Sequence, residues 1–169
     1  MITVNFYGPD AYAYKPWYHR IFTGILTMFS SMVHVDIQHR SVIYAADMGK
    51  GRVAKFNAAE WTRPTYRLEI HVPDEVADRV LRQYVQRGYG YGWLDFLLYP
   101  FRKFIVFDGA GKICSEMVAE IIVALSHACG PGQCQHLMQI ACELEGKEHK
   151  MSPEDLFNIM CLSVGGGEI

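Results

Sequence analysis

The sequence predicts an α+β domain with a small antiparallel sheet packed against helices. Three observations lead to this class: short alternating apolar runs mark strands, longer runs with helical spacing mark helices, and Gly, Pro and acidic residues stand at their boundaries. The predicted order is strand, helix, meander, helix, helix. The 169 residues are enough for one domain and too few for two of ordinary size, so we expect a single domain over residues 1–169.

Strands are predicted in four places. Ile2 to Phe6 alternates weakly and ends at a Gly-Pro pair, which indicates a short first strand. Val33 to Gln38 and Val42 to Asp47 are rich in β-formers and flank a short polar turn at His39-Arg40, as in a hairpin. Tyr66 to Val72 alternates again and predicts a further strand.

Helices are predicted where apolar residues recur every three or four positions. The clearest helix runs from Cys114 to Ala128, between a flexible glycine loop and a Gly-Pro-Gly turn. A serine, a proline and two acidic residues from Ser152 onward open a short last helix. The other predicted helices cover Pro16 to Phe29, Pro73 up to Gly88, and Gln135 to Leu144.

Composition and charge exclude several classes of protein. The 16 basic and 18 acidic residues give a formal charge of −2, and no basic stripe is visible, so we expect no nucleic-acid partner. The uncharged stretch from Ile21 to Val33 is shorter than the ~18 residues that span a bilayer, so no integral membrane segment is expected. No signal-peptide pattern is visible, and the five cysteines have no framework spacing. These features favour reduced thiols and a cytoplasmic location.

Cys114 is the first candidate for chemistry, because it begins a helix directly after a glycine loop. Thiolate is the reactive form of cysteine, and the unsatisfied N–H groups and the dipole at a helix N-terminus favour it. Lys112 adds a positive charge if its side chain turns toward the thiol. The alternative is a buried cysteine in the first turn of a core helix, since free cysteine is among the most buried residue types.

His34 is the candidate base for that thiol. On a strand, its side chain shares one face with Asp36 and Gln38, while the intervening apolar residues point to the other face. A strand that is apolar on one side and carries His, Asp and Gln on the other is typical of the wall of a polar cleft. A solvated hairpin face is the alternative.

Several short motifs, taken in chain order, resemble a known family. They are Ser31–Ile37, Val42–Ala46, Gly88–Tyr91 and Ile113–Ala119, with Ser152–Leu156 near the end. The chain resembles the circularly permuted NlpC-type papain-like cysteine hydrolases, in particular their YiiX-like branch. That branch has an "sHvgI" strand, a "vyEA" strand, a "G-x-x-Y" segment, a "CSELVA" helix and a closing "tPgDL".

The resemblance implies a permuted papain-like fold with the catalytic cysteine at a helix N-terminus. It implies that Cys114 is the nucleophile and that His34 takes its proton and later protonates the leaving group. Tyr91 matches the family's tyrosine beside the cleft and would line the substrate site, and the backbone N–H of Cys114 would be one oxyanion donor. The implied protein is a cysteine hydrolase, either a peptidase or amidase or an ester or thioester hydrolase. It would act without a cofactor on a peptide, amide or acyl substrate.

The chain departs from the family at the residue that orients the histidine. The Glu of "vyEA" is Ala45 here, and a hairpin that turns at His39-Arg40 sets Ala45 opposite His34. Two carboxylates on the same face, Asp36 and Asp47, are then candidate orienting residues. Asp47 is slightly favoured, because a diagonal neighbour across the hairpin reaches a ring nitrogen more easily than a side chain on the same strand.

The missing acidic residue also supports a rival function. A binding module that kept the fold and lost most or all catalysis would use the region of Tyr89, Tyr91 and Trp93 as its surface. Retention of both Cys114 and His34 favours the enzyme over this rival.

A second group of potential ligands surrounds the turn after the Cys114 helix. His127, Cys129, Cys134 and His136 are close in sequence, and the Cys-to-Cys spacing is permitted in a zinc site. The histidines, however, fall where helices end and begin, and the resembled family has no such site. We therefore expect an ordinary interhelix loop without metal, with a zinc site and a disulfide as the alternatives.

Overall fold

The structure is a computed structural model that describes residues 1–12, 23–24, 27, 30–92, 111–130, 132 and 134–164. Within this part of the chain, a seven-stranded sheet packs against helices, so the predicted α+β class is confirmed. No helix in the described ranges is long and apolar enough to cross a membrane.

The sheet is larger than the sequence predicts. Its strands are β1 (Ile2–Tyr7), β2 (His34–His39), β3 (Val42–Asp47), β4 (Arg52–Asn57), β5 (Tyr66–Ile70), β6 (Gly90–Tyr91) and β7 (Gly111–Lys112). Their spatial order is β5-β1-β2-β3-β4-β6-β7, and neighbouring strands are antiparallel except for the parallel pair β6 and β7. The sequence prediction lacks β4, β6 and β7, of which the last two are too short to show a period.

Helices account for most of the second half of the described chain. The predicted bounds of two of them, Cys114–Ala128 and Gln135–Leu144, are confirmed. The predicted helix from Pro16 to Phe29 lies mostly outside the described residues. The described helices are α1 (Asp74–Gln86), α2 (Cys114–Ala128), α3 (Gln135–Leu144) and α4 (Pro153–Val164).

Local hydrogen bonds fix where two of the helices begin. At α4 the backbone N–H of Asp155 donates to Ser152 Oγ at 3.0 Å, and the N–H of Ser152 donates to Asp155 Oδ2 at 3.1 Å. This is the reciprocal cap that the serine and the acidic pair predict. At α2 the buried Glu116 carboxylate accepts a 3.3 Å hydrogen bond from the backbone N–H of Ile113. Both caps satisfy backbone donors that a helix start leaves without an intrahelical partner.

The core lies between one face of the sheet and the helices. Val35 and Ile37 of β2 are fully buried in it, as are Ile121, Ile122 and Leu125 of α2. Burial of each such side chain contributes about 1.5–3 kcal/mol. Because α2 lies across β2 and β3, the core fixes this helix relative to the strand that carries His34.

The hairpin between β2 and β3 turns one residue later than predicted. Gln38 pairs with Ile43 and His39 with Val42, which leaves Arg40 and Ser41 as a two-residue turn. Arg40 has a φ of 55°, and two-residue hairpin turns favour such a left-handed conformation because it matches the twist of the strands. The sequence prediction of a turn at His39-Arg40 is therefore wrong, since nothing local shows that an arginine adopts this conformation.

Candidate active site

His34 lies at the start of β2 in an aromatic environment. Its ring centroid is 5.4 Å from that of Tyr7 and 6.5 Å from that of Trp61, and its side chain is only 14% exposed. Burial lowers the pKa of His34 to about 4, because the charged imidazolium loses its hydration. The ring is therefore neutral at physiological pH, which is the form that accepts a proton.

Asp36 lies two residues further along the same strand and is completely buried. Its Oδ1 accepts a hydrogen bond from Asn5 Nδ2 at 2.8 Å, and its Oδ2 accepts one from Trp61 Nε1 at 2.8 Å. The same Oδ2 is 3.8 Å from His34 Nε2. Burial raises the pKa of Asp36 to about 6, although hydrogen bonds from Asn5, Tyr7 and Trp61 oppose the shift. At pH 7 an ionised carboxylate thus lies beside a neutral imidazole.

The face of β2 that carries these groups is enclosed. Val35 and Ile37 belong to the helix-side core, while Gln38 lines a cleft of about 210 Å³ together with Asn5 and Tyr7 of β1. Trp61 forms another wall of this cleft. Of the three polar residues on this face of β2, Gln38 lines the cleft, whereas His34 and Asp36 do not.

The observed register removes the predicted pairing of His34. The sequence prediction sets Ala45 opposite His34, and this is wrong, because the turn falls at Arg40 and Ser41 and shifts the register by two residues. The observed pairs run from His39–Val42 to Ile37–Tyr44, so neither His34 nor Asp36 pairs with a residue of β3.

Asp47, the other candidate orienting residue, ends β3. Its Oδ1 accepts a 2.7 Å hydrogen bond from the backbone N–H of Lys50, which ties this carboxylate oxygen to the turn that follows. Asp36, by comparison, has a carboxylate oxygen within 4 Å of a His34 ring nitrogen.

Cys114 is the first residue of α2 and directly follows β7 and Ile113. Its side chain is partly buried and packs at the edge of the core. The ammonium of Lys112 pairs with a carboxylate of α2 instead of turning toward the Cys114 thiol: its Nζ lies 2.6 Å from Glu120 Oε1. The hydroxyl of Tyr84 donates to Glu120 Oε2, also at 2.6 Å. The positive charge nearest Cys114 in sequence is thus paired with Glu120, in the second turn of α2.

We expect Glu120→Gln to lower the free energy of unfolding by about 2 kcal/mol, because hydrogen bonds to charged groups contribute ~1.5–3 kcal/mol. Lys112 is 10% exposed and Glu120 is 22% exposed, so the substitution leaves a poorly hydrated ammonium without its counter-ion. Tyr84→Phe, which removes only the hydroxyl donor, is the control, and we expect about half the effect. Urea unfolding measures both. Equal stability of Glu120→Gln and the wild type would contradict this account.

Tyr91 ends β6, the strand that pairs with β7 just before Cys114. Its backbone N–H donates to Gly51 O at 2.8 Å, and it pairs with Lys112 in the parallel β6–β7 ladder. Burial raises the pKa of Tyr91, and the charges of Cys114 and Asp47 act in the same direction. The tyrosine is therefore within electrostatic range of both the candidate nucleophile and a candidate orienting residue.

Strand register places all of these residues at one end of the sheet. Tyr7 pairs with His34, Asp47 with Arg52, Arg52 with Gly90, and Gly90 with Gly111. The β2–β3 pairing ends at Ile37 and Tyr44, so these pairs form two separate rows at the same end of the sheet. One row joins Tyr7 to His34, and the other runs from Asp47 to Gly111. Tyr91 and Cys114 follow Gly90 and Gly111 along the chain.

Sequence reasoning missed three residues that hold Asp36. Asn5 and Tyr7 occupy alternate positions of β1, and this period, matched to that of β2, is a signal from which they could have been found. Trp61 follows a short 3₁₀ helix in a connecting segment, and no local pattern marks it.

The histidines at the turn after α2 do not join its cysteines. His127 is exposed, and its Nε2 lies 3.8 Å from Glu145 Oε1. Across the described ranges, no three His, Cys, Asp or Glu side chains come together as a metal site. The sulfur atoms of Cys129 and Cys134, however, are 2.7 Å apart. Trp93, part of the surface considered for a binding module, lies outside the described residues.

Compared with protein-family models, with curated proteins and with solved structures, the chain has no match in any of the three.

Proposed function

We propose that this chain is a cysteine hydrolase of the permuted papain-like, NlpC-type class, with Cys114 as nucleophile and His34 as general base and acid. The observation that carries the proposal is that the buried, neutral His34 and the start of the Cys114 helix lie at the same end of the sheet. The acidic, hydrogen-bonded surroundings of His34 support it further.

In the proposed reaction the thiol of Cys114 attacks the carbonyl carbon of an amide or ester while His34 accepts the thiol proton. The backbone N–H of Cys114 donates to the oxyanion of the tetrahedral intermediate. As the carbon–nitrogen or carbon–oxygen bond breaks, the His34 imidazolium returns the proton to the leaving group. Water, deprotonated by His34, then hydrolyses the resulting thioester and releases the acid and the thiol.

Asp36 is the positioning residue in this proposal. Its carboxylate is ionised at pH 7 and lies 3.8 Å from the His34 ring, so it stabilises the imidazolium that forms during the reaction. Asp47 remains the second candidate, since its charge acts on Tyr91.

The expected substrate is a peptide, an amide or another acyl compound that enters beside Tyr91. No cofactor, metal or nucleic acid takes part in the proposed reaction, and the proposed location is the cytoplasm. The second candidate function is a binding module with weak or no catalysis. Ala45 favours this module, because the carboxylate that the family places on that strand is missing.

The pH dependence of alkylation at Cys114 tests the proposal. We expect an apparent thiol pKa well below the ~8.5 of free cysteine, because the thiolate and the His34 imidazolium form together as an ion pair, in which the thiolate charge offsets the burial that keeps His34 neutral beside a protonated thiol. In His34→Ala we expect this pKa to rise toward 8.5 and the alkylation rate at pH 6 to fall at least tenfold, because ~1 pKa unit corresponds to a factor of ten in thiolate. Iodoacetamide labelling followed by mass spectrometry of the Cys114 peptide gives the rate.

His71→Ala is the matched control, because His71 is exposed and follows β5 at the end of the sheet opposite to His34. We expect it to leave the profile unchanged. A Cys114 thiol that titrates near 8.5 and responds equally to both histidine variants would contradict the hydrolase and favour the binding module. Hydrolysis of acyl and peptidyl reporter compounds by the wild type, with Cys114→Ala as blank, then identifies the bond that is cleaved.

A further inference from the structure

Cys129 and Cys134 form a sulfur pair that the proposed mechanism does not use. Their sulfur atoms lie 2.7 Å apart, closer than two non-bonded sulfur atoms normally pack. A disulfide bond is ~2.05 Å long, so a movement of about 0.7 Å brings the two atoms to bonding distance. Both are free thiols in this structure.

The two helices hold the pair in place. Cys129 caps the end of α2, where its N–H donates to Leu125 O at 3.0 Å. Cys134 precedes α3, and its carbonyl accepts a 2.9 Å hydrogen bond from the N–H of Met138. Since α2 and α3 pack together, the contact between the sulfur atoms follows from the packing of two helices.

The pair is separate from the candidate active site. Cys114 and Cys129 stand at opposite ends of α2, which places them about 22 Å apart at the 1.5 Å rise of a helix. It also lacks the ligands of a zinc site, because His127 is directed to Glu145 and the described residues supply no third ligand. The chemistry that remains for two thiols in contact is oxidation to a disulfide.

We propose that Cys129 and Cys134 form a reversible intramolecular disulfide by exchange with a low-molecular-weight disulfide such as oxidised glutathione. In the first step the thiolate of Cys134 attacks one sulfur of the small disulfide, forms a mixed disulfide and releases one glutathione thiolate. In the second step the Cys129 sulfur, having given its proton to solvent, attacks the Cys134 sulfur and releases the second glutathione. The protein loses two electrons and two protons, and one small disulfide becomes two thiols.

The order of these steps follows from the surroundings of the two thiols. Burial, together with the hydrogen bond to Cys134, raises the pKa of the Cys129 thiol to about 12. This shift disfavours the Cys129 thiolate, so we assign the first attack to Cys134. Because Cys134 is buried, the small disulfide reaches it only slowly.

The disulfide is expected to stabilise the fold by joining two helices. It ties the end of α2 to the start of α3 through a short loop, which restricts the unfolded chain and stabilises the fold. We expect Tm to rise by several degrees on oxidation and to return when dithiothreitol is added. Such a reversible pair is compatible with a reducing compartment, where disulfides are transient.

The test uses the reduced full-length protein equilibrated with oxidised glutathione, then denatured and treated with N-ethylmaleimide. We expect both Cys129 and Cys134 of the wild type to escape alkylation without retaining glutathione, and peptide mapping to join Cys129 to Cys134. Cys142→Ser, which removes an exposed thiol of α3, is the control and should form the same disulfide. Cys129→Ser should trap one glutathione on Cys134.

Two results would overturn the proposal. One is that both cysteines of the wild type remain fully alkylated while the exposed Cys142 carries glutathione, which shows that the oxidant was active. The other is a stable mixed disulfide on Cys134 that Cys129 fails to displace. Both readings come from the wild type, so they hold even where a serine variant folds poorly. Neither depends on the reactivity of Cys114.

Discussion

Gly111→Ala is expected to lower the free energy of unfolding by about 3 kcal/mol, at the upper end of the effect of overpacking. A Cβ on Gly111 would lie 2.6 Å from Gly92 N and from the backbone carbon and oxygen of Tyr91. These are backbone atoms, so no side-chain rotation relieves the contact, and β6 and β7 have to separate. The same separation displaces Tyr91 from Cys114, so we also expect the alkylation profile of Cys114 to lose its dependence on His34.

The matched control is Gly90→Ala, the residue that pairs directly with Gly111. A Cβ on Gly90 would meet its nearest atom, Gly51 O, at 3.9 Å, which is ordinary van der Waals contact. We expect this variant to stay within about 0.5 kcal/mol of the wild type. Urea unfolding of both variants measures the contrast. Equal stabilities would show that β6 and β7 are not held as closely as the structure has them.

His34 and Asp36 are expected to make stability depend on pH in opposite directions. Burial lowers the pKa of His34 from 6.5 to about 4, so between these values the unfolded chain binds a proton that the folded chain excludes. The contribution of neutral His34 to the free energy of unfolding is therefore complete above pH 6.5 and is lost as the pH falls toward 4. Its full size is about 3 kcal/mol.

Asp36 acts in the opposite sense. Burial raises its pKa from 3.8 to about 6, so the folded state holds the proton more tightly than the unfolded chain between these values. The contribution of the protonated Asp36 carboxyl to the free energy of unfolding is complete below pH 3.8 and is lost as the pH rises through about 6. This loss is also about 3 kcal/mol, so the two contributions nearly cancel in the wild type across the shared window.

Single substitutions separate the two slopes. Relative to the wild type at each pH, His34→Gln should become less stable as the pH rises from 4 to 6, and Asp36→Asn should become more stable over the same range. Urea unfolding at pH 4, 5, 6 and 7 gives these differences. If the two variants depart from the wild type with slopes of the same sign, the two groups are not buried in the protonation states assigned to them.

The elements that local patterns define were predicted with their bounds. Cys114–Ala128 and Gln135–Leu144 combine a helical period with glycines or polar residues at their ends, so local sequence determines them. The strand Arg52–Asn57 lacks a clear alternation and pairs along its whole length with β3, so it depends on a neighbour that the sequence alone does not place. The two-residue strands likewise exist only because the chain returns to the sheet edge.

The candidate site shows the same division. The common face of His34 and Asp36 follows from the two-residue period of a strand and was predicted. The pairing of their strand with β3 was predicted in the wrong register, because this register depends on one left-handed residue, Arg40, that no local signal marks. Trp61, which donates to Asp36 from a distant connecting segment, was beyond sequence reasoning because tertiary packing brings it there.

The start of α2 is joined to the sheet by β6 and β7, which are two residues long each and stand at the sheet's edge. Few backbone hydrogen bonds break when β6 and β7 separate from the sheet, whereas the middle of α2 stays packed on β2 and β3. Opening free energies in a folded protein run from near zero at such margins to the global value in the core. We therefore expect the strands before Cys114 to open locally more often than the middle of α2, and access to the Cys114 thiol to follow this local opening while the core stays folded.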